Sequence, residues 1–88
     1  MIRKRIVFTG RVQGVGFRWR ARQAASLYGC TGWCRNEWDG SVTMEIQGTE
    51  DAIEKVIQSI EAGRYIWIEN MDITPMYPET DEYGFRTE

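Results

Sequence analysis

Apolar and polar positions change their period several times along the chain, and each change marks an element. Ile6-Val7-Phe8 reads as the heart of a first strand, ended by Thr9-Gly10. Arg11 to Gly16 follow as a loop punctuated by Gly14 and Gly16. From there the apolar positions fall at Phe17, Ala21, Ala24, Ala25 and Tyr28, the three-and-four spacing of one helical face, and Gly29 is a fitting C-terminal cap.

Residues 31–38 and 41–47 face each other across Asp39-Gly40, and the second run alternates Val42, Met44, Ile46 against Thr43, Glu45, Gln47. Asp-Gly between two strand-like runs predicts a two-residue hairpin of type I′, with positive φ at both central positions, and makes Asp39 a turn residue. Thr49 can cap a second helix, with Glu50 and Asp51 in its first turn, with Ala52, Ile53, Val56, Ile57 and Ile60 as its buried face, and with Gly63 as its end. Tyr65 to Ile73 reads as a strand with apolar groups on both faces, Pro75 and Pro78 break the pattern, and residues 83–86 can add a short terminal strand. The order βαββαβ predicts an α+β fold of the ferredoxin-like type, a mainly antiparallel sheet with two helices on one face.

Length and composition agree with one such unit over residues 1–88. The chain has 88 residues, 42% of them apolar, enough for one core and no second domain. The basic start Arg3-Lys4-Arg5 is followed by too few apolar residues for a signal peptide, and no run is long enough to cross a bilayer; the expected location is the cytoplasm. Net charge is −2, but residues 1–36 hold eight bases (Arg3, Lys4, Arg5, Arg11, Arg18, Arg20, Arg22, Arg35) and no acid, while all 13 acids lie beyond them. Such sorting allows a positive site for an anion in a mildly acidic protein.

What is missing narrows the chemistry. The chain has no histidine, which removes phosphohistidine chemistry, a Ser-His-Asp triad, a Cys-His pair and His-based metal sites. Cys30 and Cys34 are too few for a four-cysteine zinc site, and Asn36, not arginine, stands six positions after Cys30, so a tyrosine-phosphatase loop does not fit either. Four extended residues span roughly 13 Å while bridged Cα atoms lie within about 7 Å, so a disulfide would need a turn at Thr31-Gly32, and two reduced thiols serving as small core residues are favoured. No metal and no cofactor are called for.

The segment Val12-Gln13-Gly14-Val15-Gly16-Phe17-Arg18 joins a strand to a helix. Glycine lets the main chain bend and a ligand approach it, and the amides ahead of a helix point outward with the positive end of the dipole behind them. Arg18 at the helix start can add a planar fork that matches two phosphate oxygens. The nucleoside-triphosphate loop needs Gly-Lys-Ser/Thr, whereas the only lysines are Lys4 and Lys55; the dinucleotide loop needs glycine where Trp19 stands. On these residues alone, an ordinary glycine-rich turn beside an exposed arginine remains an equal alternative.

Read with Ala24, Gly29, Gly32-Trp33, Asn36 and Asp39-Gly40-Ser41-Val42, the loop resembles the acylphosphatase signature over residues 10–48. The resemblance implies a ferredoxin-like fold, a phosphate held by the amides of residues 12–18, Arg18 as its guanidinium partner, and Asn36 orienting the attacking water. It implies a small acyl phosphate as substrate, inorganic phosphate as product, and hydrolysis by direct water attack; we further expect a monomer and no membrane or nucleic-acid partner. Gln13 is expected to contribute its backbone amide. Cys30 and Cys34 stand where the family has aliphatic residues, Arg64 where proline is common, and residues 64–82 match least. The alternative from another class is a non-catalytic phosphate- or RNA-binding ferredoxin-like module, with Arg3, Lys4, Arg5, Arg20, Arg22, Trp19 and Phe8 facing a polyanion.

Overall fold

The computed structural model describes residues 1–88 throughout. Seven elements follow in order: β1 (Ile2–Arg11), α1 (Phe17–Tyr28), β2 (Thr31–Asn36), β3 (Val42–Gly48), α2 (Glu50–Glu61), β4 (Trp67–Met76) and β5 (Phe85–Thr87). They build one five-stranded sheet in the order β4-β1-β3-β2-β5. β1 pairs antiparallel with β3 and β4, β2 antiparallel with β3, and only β2 and β5 run parallel. The ferredoxin-like expectation holds, with β5 added to the edge beyond β2.

The helices form where the periodicity places them, and their ends have local causes. Gly29 closes α1 in the left-handed conformation, and the Thr49 hydroxyl accepts from the Ala52 amide to cap α2. Ile6, Phe8, Val42, Met44, Ile46 and Cys34 of the sheet meet Phe17, Ala21, Ala24 and Ala25 of α1 and Ile53, Val56, Ile57 and Ile60 of α2 in one buried cluster. Cys30 and Cys34 are both free and both buried in it. Small residues on α1 let the two helices lie close together over the sheet.

Two expectations are corrected. The β2–β3 connection is not a two-residue type I′ turn, because Gly40 (φ 94°) carries a positive φ and no non-glycine residue does. Glu37 and Ser41 close the loop through the Glu37 N–H to Ser41 C=O bond of 2.8 Å, and the Gly40 N–H returns to the Glu37 C=O at 3.2 Å. This is a three-residue loop with glycine in the left-handed position, a solution that spares Asp39 a strained backbone. Asp39 is still a turn residue: its carboxylate accepts from the Ser41 N–H at 3.0 Å and the Ser41 hydroxyl at 2.7 Å, which hold its pKa below the ordinary value.

Pro75, expected to break the last long strand, lies inside β4 opposite Lys4. β4 is an edge strand, where a missing N–H need not interrupt a ladder on both sides. The segment after it crosses the sheet face that the helices leave open. There Gln47 exchanges two hydrogen bonds with the main chain of Glu79, and Arg3 binds Glu82.

Candidate active site

Both β1 and β2 run antiparallel to β3, so their C-terminal ends emerge at the same end of the sheet. Val42 pairs with Phe8 on one side and Asn36 on the other, which sets Asn36 level with Phe8, three residues before β1 ends, and two strands or about 10 Å across. The β1–β4 register slips between Thr9 and Gly10, and such a bulge bends a strand where the loop is about to leave it. Residues 12–16 then lead directly into α1.

The ends of that loop are fixed by burial. Val12 is 1% exposed and Phe17 2%, and the Phe17 ring packs edge-on against Phe8 with centroids 4.8 Å apart. Between these anchors Gly14 (φ 69°) and Gly16 (φ 83°) take left-handed backbone, and both are exposed. A side chain there would strain the main chain, and the glycines keep its amides open to a ligand. Val15 packs on the edge of the core.

Gly16 precedes α1 without any side-chain acceptor for the first-turn amides, and no acid stands in that turn. The positive end of the helix is therefore unneutralised beside the loop, the electrostatic arrangement that favours an anion. Arg18, half-buried, projects from the same turn. Its Nη1 donates to the main-chain oxygen of Glu88 at 3.0 Å, which engages one of the five N–H donors of a guanidinium.

Asn36 is the last residue of β2 and half-buried. The hairpin behind it is tied to the loop by Gln13, whose Nε2 donates to the Glu37 carbonyl at 2.7 Å and the Ser41 carbonyl at 2.9 Å. That side-chain role was not legible: the partners lie 24 and 28 residues away, and no local pattern marks them.

Nearby groups offer no obvious nucleophile or general acid. Burial pushes the Cys34 thiol up to about 12, although the Arg18 charge opposes it, so the thiolate is negligible at neutral pH. Hydrogen bonds to Thr43 and Arg35 hold the Glu37 carboxyl below its ordinary value. No group of three or more His, Cys, Asp or Glu side chains converges as a metal site.

Comparison with known proteins gives the same direction. A family model described as Acylphosphatase matches residues 4–87, and so includes the region where the signature was weakest. An acylphosphatase from Geobacillus kaustophilus is 41% identical over 87 residues, 98% of this chain and 93% of that protein. One from Clostridium perfringens is 45% identical over an aligned length of 91 residues, covering 99% of each. The crystal structure of acylphosphatase from Bacillus subtilis has a TM-score of 0.90 at 28% identity, covering 100% of this chain and 99% of that one.

Proposed function

The chain belongs to the acylphosphatase family and is an enzyme that hydrolyses acyl phosphates, and we propose that it does so by direct attack of water on phosphorus, with Arg18 and the amides of residues 12–18 holding the phosphate and Asn36 orienting the water. The observation that carries this reading is the uncapped start of α1, where the positive end of the helix, two left-handed glycines and Arg18 meet beside one loop.

Phosphoryl transfer asks a protein mainly for position and charge stabilisation, because its transition state is loose and its charge is spread over the equatorial oxygens. Water oxygen bonds to phosphorus as the bond from phosphorus to the carboxyl oxygen breaks. The electron pair leaves with the carboxylate, and a phosphate oxygen takes the proton from water. The departing carboxylate has a conjugate acid with pKa about 4 to 5, so no general acid is needed. An asparagine presents one acceptor and two donor hydrogens at constant charge, which suits it to orient a water.

We place the enzyme in a reducing compartment, the cytoplasm, where two unpaired buried thiols persist. No helix is long and apolar enough to cross a membrane. Every group invoked comes from one chain, so a monomer suffices. Against the nucleic-acid alternative, five of the seven residues offered for it are engaged elsewhere: Phe8 is fully buried, Arg3 is buried and paired, Lys4 and Arg5 pair with Glu50 and Glu45, and Arg20 donates to the Ser59 carbonyl, while Trp19 and Arg22 stay exposed.

Asn36→Ala separates binding from turnover. The variant keeps the affinity of the wild type for inorganic phosphate, measured as a competitive inhibition constant, while kcat for benzoyl phosphate falls on the order of 10². A folded Asn36→Ala protein with undiminished kcat excludes the water-orienting role.

A further inference from the structure

Gln13 stands in the phosphate loop, yet its side chain turns away from a phosphate-binding task. Its two contacts are to main-chain carbonyl oxygens, which only accept, so the amide hydrogens and not the amide oxygen must face Glu37 and Ser41. Both hydrogens of one NH₂ group are thereby used on the two residues that close one hairpin loop. Ser41 C=O accepts twice, from the Gln13 amide and from the Glu37 N–H that closes the hairpin loop. Asn36 immediately precedes Glu37, and its pairing partner Val42 immediately follows Ser41.

The sheet ladder sets the coarse spacing, and the gap between the phosphate loop and the strand end bearing Asn36 is bridged by a single side chain of fixed length. The loop itself does not depend on it, because Val12 and Phe17 anchor the loop in the core on either side. We propose that Gln13 is a positioning residue for the hydrolysis: its side-chain amide fixes the distance between the bound phosphate and Asn36, and so the line along which water meets phosphorus. The inference rests on the reading of Asn36 given above. Displacements of about 1 Å in a reacting geometry can cost on the order of 10² in rate, so one lost tie is enough to register.

The test uses Gln13→Met, which keeps length and approximate volume but has no donor, together with Asn36→Ala and the double variant. Thermal unfolding confirms that each is folded. In Gln13→Met we expect kcat for benzoyl phosphate to fall by about tenfold or more while the inhibition constant of inorganic phosphate stays within about twofold. In the Asn36→Ala background, Gln13→Met has no further effect, because the group it positions is gone. Equal kcat in Gln13→Met and wild type overturns the proposal. So do multiplying losses in the double variant, or a phosphate constant that rises in step with the fall in kcat, since either assigns Gln13 to the loop alone. Full activity of Asn36→Ala instead sinks the reading of Asn36 and this inference with it.

Discussion

Arg18→Lys lowers kcat/KM for benzoyl phosphate on the order of 10² to 10³ and weakens inhibition by inorganic phosphate, although the charge at this position is unchanged. The reason is geometric. A guanidinium presents donors in a rigid plane matching two phosphate oxygens, whereas an ammonium on a flexible stem reaches them as a point charge. Arg18 starts in the first turn of α1, so its charge adds to the uncapped helix end, and a lysine there keeps that sum but not its direction. Steady-state kinetics on the two proteins decide it: a loss smaller than about tenfold would mean that the loop amides and the charge alone hold the phosphoryl group, and that the fork has no part in the transition state.

Arg3→Met produces the largest loss of stability. Arg3 is 2% exposed on the sheet face opposite the helices. Its Nε and Nη2 donate to Glu45 at 3.3 and 3.0 Å, its Nη1 and Nη2 to Glu82 at 2.7 and 3.1 Å, and its Nη1 to Gln47 at 3.2 Å. All five donors of the guanidinium are therefore in use. Removing it leaves two largely buried carboxylates with only the longer contacts to Arg5 at 3.4 Å and Arg86 at 3.8 Å, and breaking such a network from one side costs about 3 to 5 kcal/mol. For a domain of this size that is a large part of the total.

The pH dependence of the same network has a definite sign. Burial alone would raise the Glu82 carboxyl, but hydrogen bonds from Arg3 and Thr31 and the charges of Arg3 and Arg86 outweigh it and hold the group below its ordinary value. A lowered folded-state pKa means that the stabilisation is complete above the unfolded value near 4.5 and is lost as pH falls through the folded one. In Arg3→Met the two carboxylates repel, so acidification narrows the gap between variant and wild type. Urea unfolding at neutral pH and near pH 4 checks both statements; a neutral-pH difference below about 0.5 kcal/mol would show that the network adds nothing to the fold.

The same residues show how far the sequence could be read. The helices were legible because three-and-four spacing, Thr49 and Gly29 are signals confined to a few neighbours. The glycine loop between β1 and α1 was legible for a related reason: the residues that make it, 12–16, are consecutive and end at the start of α1. The sequence ends β4 too early because a proline is a local signal of interruption, while its tolerance depends on the strand standing at the sheet edge, which is a property of the whole topology. Asp39-Gly40 gave the hairpin but not its turn, since the choice of loop length depends on which residues of the two strands pair.

Charge was the least legible feature. Arg3 reads as one of a basic cluster that could meet a polyanion, but its acidic partners are 42 and 79 residues away, and the paired network lies buried under the segment that follows β4. Half of the eight bases in the basic first part, Arg3, Lys4, Arg5 and Arg35, pair with acids of the remainder once folded. Arg11, Arg18, Arg20 and Arg22 stand outside those pairings, and of these Arg18 lies in the first turn of α1, whose uncapped end also favours an anion.

The most direct test of the central claim follows benzoyl phosphate hydrolysis at neutral pH in water carrying heavy oxygen, with a chelator present, and weighs both products. Attack of water on phosphorus, in a site that needs no metal, predicts rapid turnover with the heavy atom found in inorganic phosphate and none in benzoate. Heavy oxygen in benzoate, or activity that the chelator abolishes, would contradict it.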